Sequence, residues 1–270
     1  MYEWLFPGAF WAFLLIYGGT LFALSPRAVS VESFYGGASE TGRPVSAVPL
    51  TLSIFISWIF AKSVTNVANL GAAYGMVGAL AYATYWLSIP VAGWVIYRLR
   101  TQLGATSLVG FLVSRYGRAA AIAFAVAILV RLYNEIWSNT AVVGGYFGAP
   151  GSTAYIAAAV LFTLVTLAYS IKGGLRGSII TDVAQAVLFL GLLGLIGFWV
   201  IPEHGITRLA TSGDWRLDAG LDLLLVAGLQ IFSYPFHDPV LTDRGFLARE
   251  RAMLRSFTLA GVLGFVAIAA

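Results

Sequence analysis

The sequence predicts an all-α polytopic membrane protein. The chain is 59% hydrophobic and only 10% charged, against roughly 25% charged residues in soluble proteins. Apolar runs of about 20 residues, the length that crosses about 30 Å of hydrocarbon, recur from one end to the other. The cations between those runs fall almost entirely on one side of the expected membrane. Neither a cleaved signal peptide nor a single anchor accounts for hydrophobicity spread over the whole length.

Eight spans are expected, at 4–24, 48–75, 77–97, 119–147, 152–171, 178–201, 219–241 and 252–270. The first is a smooth apolar run with glycines. The second, 48–75, is interrupted by Lys62, Ser63, Thr65, Asn66 and Asn69 in the stretch FAKSVTNVANLG. The third ends at the basic RLR around Arg98 and Arg100, and the fourth carries RLYNEIWSN, with Arg131 and Glu135 at i,i+4. A glycine turn, GGLRG, separates the fifth from the sixth, which opens with Asp182 and Gln185 on neighbouring faces. The seventh ends in SYPFHDPVLTD, where Pro235 and Pro239 remove backbone donors around His237 and Asp238. The eighth starts beside Arg255 and runs to Ala270 without a polar flank. It is barely long enough to cross, and the expectation is a C-terminally truncated member of a longer architecture.

Threading these spans back and forth puts the loops 25–47, 98–118, 172–177 and 242–251 on one side, with the start of the last span. That side holds twelve of the sixteen Lys and Arg residues, the other side only Arg208 and Arg216, and Lys62 and Arg131 lie within spans. By the positive-inside rule the basic loops are cytoplasmic and the N-terminus is outside. The net charge of +4 is thereby a membrane-orienting charge, and no nucleic-acid partner is expected. The interrupted spans 48–75 and 219–241 run in opposite directions five spans apart, the relation an inverted repeat produces, with a substrate and ion site at the midplane between the breaks. A single transmembrane domain over 1–270 is expected, with the extra helix 4–24, a first five-helix repeat at 48–201 and the start of a second at 219–270.

There is no cysteine and there are two histidines, which excludes thiolate metal sites and disulfides. No phosphate-binding loop or HExxH pattern is present, and GGLRG is a glycine turn, so the chain is not expected to be an enzyme and no cofactor is expected. Intramembrane polar residues remain, and each costs about 2.5–3.5 kcal/mol at a helix centre unless it faces a partner or a water-filled cavity. Lys62 lies too far into its span to snorkel easily. Arg131 and Glu135 form either a self-neutralising pair that fixes packing or a direct solute contact. Asp182 either offers a carboxylate to a cation near the cytoplasmic side or serves in a helix-start cap or salt bridge.

The stretch GGLRGSIITDVAQ at 173–185 resembles the GG-x-(K/R)-x-x-x-x-TD-x-x-Q signature of the sodium:solute symporters, the family of sodium-coupled sugar, proline and sialic acid carriers. FLVSRYG at 111–117 is similar to the segment preceding that family's helix 3, and DRGFLARE at 243–250 to the segment following its helix 6. The resemblance covers essentially the whole chain. It implies a LeuT-type inverted-repeat fold, localisation in the cell membrane, and symport of a small polar solute with sodium as coupling ion. It further implies sodium contacts from the carbonyls of Ala61 and Val64, and from Asp182 on a second sodium route. Substrate contacts are implied by location for Ser63, Thr65, Asn66, Tyr85, Asn134, Gln230 and Tyr234. Lys62 is a departure from the family pattern, as is Asp243 where glutamine is usual. Lys62 is therefore read, with Glu135, as a coupling residue that opposes sodium, replaces it through its own proton, or binds a solute's negative end. A transporter-like sensor module is the reading from another class.

Overall fold

The computed structural model describes residues 5–37, 44–233 and 238–270. All the regular structure among them is helical: α1 (Leu5–Leu24), α2 (Val31–Gly36), α3 (Ala47–Ile56), α4 (Ala61–Tyr74), α5 (Met76–Ala83), α6 (Ser88–Leu103), α7 (Leu108–Gly145), α8 (Thr153–His204), α9 (Ile206–Ala210), α10 (Leu221–Gln230), α11 (Pro239–Arg244) and α12 (Glu250–Ala269). Four helical stretches are long and apolar enough to cross a membrane, and a fifth is added if the bent pair α3–α4 counts as one span. The expected fifth and sixth spans are the two arms of the 52-residue α8. The chain is a multi-pass membrane protein.

Backbone chemistry explains where these helices break. In α8 the arms meet at Gly174, whose φ of 55° and ψ of −150° suit only glycine. A Cβ there would also lie 2.4 Å from the carbonyl oxygen of Phe34. Gly174→Ala is expected to cost at least the 1–3 kcal/mol of a strained backbone, read as a lower thermal midpoint of the purified protein in detergent. Gly117 breaks α7 in the same way, with φ 83° and ψ 173°, so the expected fourth span begins just after it. Between α5 and α6 the helix tightens into a 3-10 turn, Thr84–Leu87. The ring nitrogen of Pro90 carries no hydrogen for the carbonyl of Trp86 four residues earlier, and Tyr85 and Trp86 sit on that turn.

The core forms where α12 lies across α6, α3 and α5. Phe55, Trp86, Ile89, Met253 and Phe257 are its large buried members. Lipid is as apolar as leucine, so close packing of small residues replaces the hydrophobic drive: a Cβ on Gly264 would lie 1.8 Å from the Trp86 ring. Helices α3, α7 and α1 pack on α8, while α4 lies against α5 and α7. Helix α1 is tied at its C-terminal end to the turn of α8. Lys172 Nζ donates to the Phe22 carbonyl at 2.6 Å and stands over the Phe22 ring. Ser25 Oγ donates to the Tyr169 carbonyl, and the Ala28 amide to the Lys172 carbonyl, both at 2.8 Å.

Candidate functional site

The site begins at the break between α3 and α4, which meet at 59°. The break occupies Ser57–Phe60, so Lys62, Ser63, Thr65 and Asn66 stand in the first turns of α4. The interruption read from the sequence at Lys62–Asn69 is thereby shifted: the polar cluster lies just after the break and satisfies it. Ser63 Oγ accepts from the Phe60 amide at 3.2 Å and donates to the Trp58 carbonyl at 3.0 Å. Phe60, at the N-cap of α4, has no side-chain acceptor of its own, and α7 supplies one. Asn139 Oδ1 accepts from the Lys62 amide at 3.3 Å, and thereby takes up one of the helix-start donors that otherwise lack partners.

Beside the break lies a cavity of about 270 Å³, walled by residues that include Trp58, Lys62, Ser63, Asn66, Tyr82, Tyr85, Trp86, Arg131, Glu135, Gln230 and Asp238. Lys62 Nζ pairs with Glu135 Oε2 at 2.5 Å and donates to Ser138 Oγ at 3.1 Å. Arg131 pairs with the other oxygen of the same carboxylate. Asn139 Nδ2 donates to Glu135 Oε2 at 3.3 Å and to its carbonyl at 2.9 Å. Glu135 is therefore held by two cations and an amide from α4 and α7. Asp238 is buried and caps α11, accepting from the Val240 and Leu241 amides at 2.9 and 3.3 Å. Two cations and two anions thus line the cavity.

Of the residues read from the sequence as solute contacts, Ser63, Asn66, Tyr85 and Gln230 come together as walls of this cavity, as do Lys62 and Glu135. Thr65 and Asn134 are not among the walls: Thr65 Oγ1 lies 2.8 Å from the Tyr146 hydroxyl, and Asn134 is exposed on another face of α7. Tyr234 lies outside the described residues. Ala61 and Val64 belong to the first turns of α4 and do not wall the cavity, and the Ala61 carbonyl accepts from Thr65 Oγ1 at 3.1 Å. Asp238, beside the proline breaks, was legible as a cavity-lining residue and is one. Trp58, Tyr82 and Trp86 were missed as walls. Their signal in the sequence was present but weak: aromatic residues beside a break.

Asp182 takes part in a separate network. Arg244 Nη2 pairs with Asp182 Oδ2 at 2.7 Å, Arg244 Nε donates to Ser53 Oγ at 2.7 Å, and Ser53 Oγ donates to Asp182 Oδ2 at 2.6 Å. Ser178 Oγ accepts from Arg244 at 3.2 Å. The pair joins α8 to α11, and Ser53 adds α3. Asp182 thus has a guanidinium in contact, the structural partner that the sequence reading weighed against a sodium contact.

A helical membrane protein with a broken helix beside an internal, charge-lined cavity is the class that these features define. The family model described as SSF, sodium:solute symporter family, matches residues 40–266, and the chain belongs to that family. It is similar to human sodium/glucose cotransporter 4, with 29% identity over 171 residues, 60% of this chain and 25% of the relative. It is similar to mouse sodium-coupled monocarboxylate transporter 1, with 26% identity over 192 residues, 67% of this chain and 31% of the relative. Human sodium/iodide cotransporter is 24% identical over 181 residues, 66% of this chain and 26% of the relative. The chain spans about a quarter to a third of the length of these relatives.

Proposed function

We propose that this chain contributes to sodium-coupled symport of a small polar organic solute across the cytoplasmic membrane. One observation carries the reading: the cavity beside the α3–α4 break gathers Ser63, Asn66, Tyr85 and Gln230 with two ion-paired cations. A family of symporters, which are not enzymes, supports it. On this reading 48–201 is the first five-helix repeat of a LeuT-type fold and 219–270 the beginning of its inverted counterpart. Sodium meets the carbonyls of Ala61 and Val64 when α4 loosens at its first turn, and reaches Asp182 when Arg244 swings off it. The Asp182–Arg244 pair holds α3, α8 and α11 together on the cytoplasmic side, so the inward path is shut and the solute enters from outside. Sodium then stabilises the solute-accepting state through its differential affinity for it.

Proteoliposomes containing the full-length protein are expected to accumulate solute when an inward sodium gradient is imposed, and to stop when choline replaces sodium. Absence of sodium-driven uptake across a panel of sugars, amino acids, amides and carboxylates contradicts the reading. A second reading is favoured by the Lys62–Glu135 pair itself: the lysine serves as the coupling cation and its proton replaces sodium. Uptake that follows a pH gradient and ignores sodium supports that alternative.

A further inference from the structure

The arrangement around Glu135 fits an anion seat that is already filled. A cation from α4, Lys62, and one from α7, Arg131, converge on a single carboxylate. Asn139 adds an amide N–H to the same carboxylate while its oxygen takes the Lys62 amide at the start of α4. Two cations and a hydrogen-bond donor facing a half-buried cavity are what a protein uses to bind a small carboxylate or other monoanion. Here the carboxylate is supplied by the chain. Asp238, also in the cavity lining, contributes a second negative group.

We propose that Glu135 is a built-in anion that fills the seat formed by Lys62, Arg131 and Asn139, so that the cavity selects uncharged polar solutes over monocarboxylates. The inference rests on the solute-binding reading of this cavity and adds the class of solute. A monocarboxylate entering must either displace Glu135, leaving that carboxylate half-buried without its cations, or lie beside Glu135 and Asp238 as a third negative charge. Both leave an uncompensated charge in a site of low polarisability, which is heavily penalised. An uncharged solute meets no such penalty. Its hydroxyl or amide groups bond to Asn66 and Gln230, and its C–H face lies against Tyr82, Tyr85 and Trp58. At about 270 Å³ the cavity is slightly below the roughly 300–1,000 Å³ of ordinary small-molecule sites, which favours solutes no larger than a single ring.

The test is direct binding by calorimetry to the full-length protein, purified in detergent with sodium present, with D-glucose, myo-inositol and urea as uncharged probes and lactate and pyruvate as monocarboxylates. The wild type is expected to bind at least one uncharged probe and neither carboxylate. Glu135→Gln keeps the shape and removes the anion, and is expected to gain lactate or pyruvate affinity by at least about tenfold, which is about 1.4 kcal/mol. Lys62→Met combined with Glu135→Gln removes one charge of each sign and is expected to lose that gain. Should Glu135→Gln fail to give monodisperse protein, the charge-balanced double variant and the wild-type profile decide. A wild type that binds lactate or pyruvate, or none of the uncharged probes, overturns the inference, as does a folded Glu135→Gln protein that gains no carboxylate binding. These outcomes differ from failure of the transport reading, which is a loss of sodium-driven accumulation whatever binds.

Discussion

Arg244→Ala is expected to lower the stability of the protein by about 3–5 kcal/mol, the cost of removing one member of a buried ion pair. Arg244 and Asp182 are both buried, and the guanidinium is the hub of their network. It reaches Asp182 Oδ2, Ser53 Oγ, Ser178 Oγ and the Val240 carbonyl. Without it the Asp182 carboxylate keeps the hydroxyls of Ser53 and Ser178, at 2.6 and 3.5 Å, but loses its cation. Thermal unfolding in detergent, followed by gel filtration of the heated sample, measures the loss. Adding Asp182→Asn to Arg244→Ala removes the stranded charge and is expected to restore part of it. An unchanged midpoint in the single variant shows that the pair does not hold these helices together.

The second large effect is expected on transport. Lys62→Ala leaves Glu135 with Arg131 and Asn139, frees Ser138 Oγ of its donor, and takes one positive charge from the cavity wall. Removing one of two cations from a half-buried carboxylate that keeps the other costs about 1.5–3 kcal/mol, roughly ten- to a hundredfold in an equilibrium. Solute uptake by vesicles containing the full-length variant is expected to fall by about that factor, with the sodium requirement of the residual uptake intact. Uptake within a few-fold of wild type removes Lys62 from the working site. If the wild type follows a pH gradient and ignores sodium, the same loss assigns the coupling proton to Lys62.

Much of the architecture was legible because the bilayer imposes simple rules. The turns at Gly117 and Gly174 fall within or beside basic segments that also divide the expected spans. The seventh span was legible only in part, since its described helix ends at Gln230. The break before α4 was displaced by one turn for a specific reason. Ser57–Phe60 is largely apolar, so hydropathy passes over it, and the visible signal is Lys62 and Ser63, which serve the break from the next turn. The partner of Lys62 could be named only as one of several, because i,i+4 spacing reveals Arg131–Glu135 within one helix but not the α4–α7 approach. Arg244 as partner of Asp182 was hidden for the same reason: 62 residues separate them, and tertiary packing alone brings them together. The wall residue Trp86 sits on the turn that precedes Pro90, a local distortion inside what reads as a smooth span.

The clasp between α1 and the turn of α8 has a consequence for how the protein is made. The Phe22 carbonyl and the Lys172 ammonium that caps it are 150 residues apart in the chain, and α8 is the long helix against which α1 packs. At the roughly 5–20 residues per second of synthesis, α1 waits about 8–30 s in the bilayer before its binding partner emerges from the ribosome. Helices translated in the interval, including both halves of the broken pair, must settle while the first one is still undocked. The clasp can therefore close only once the first arm of α8 has emerged, and still before α12, around which the core packs, is translated.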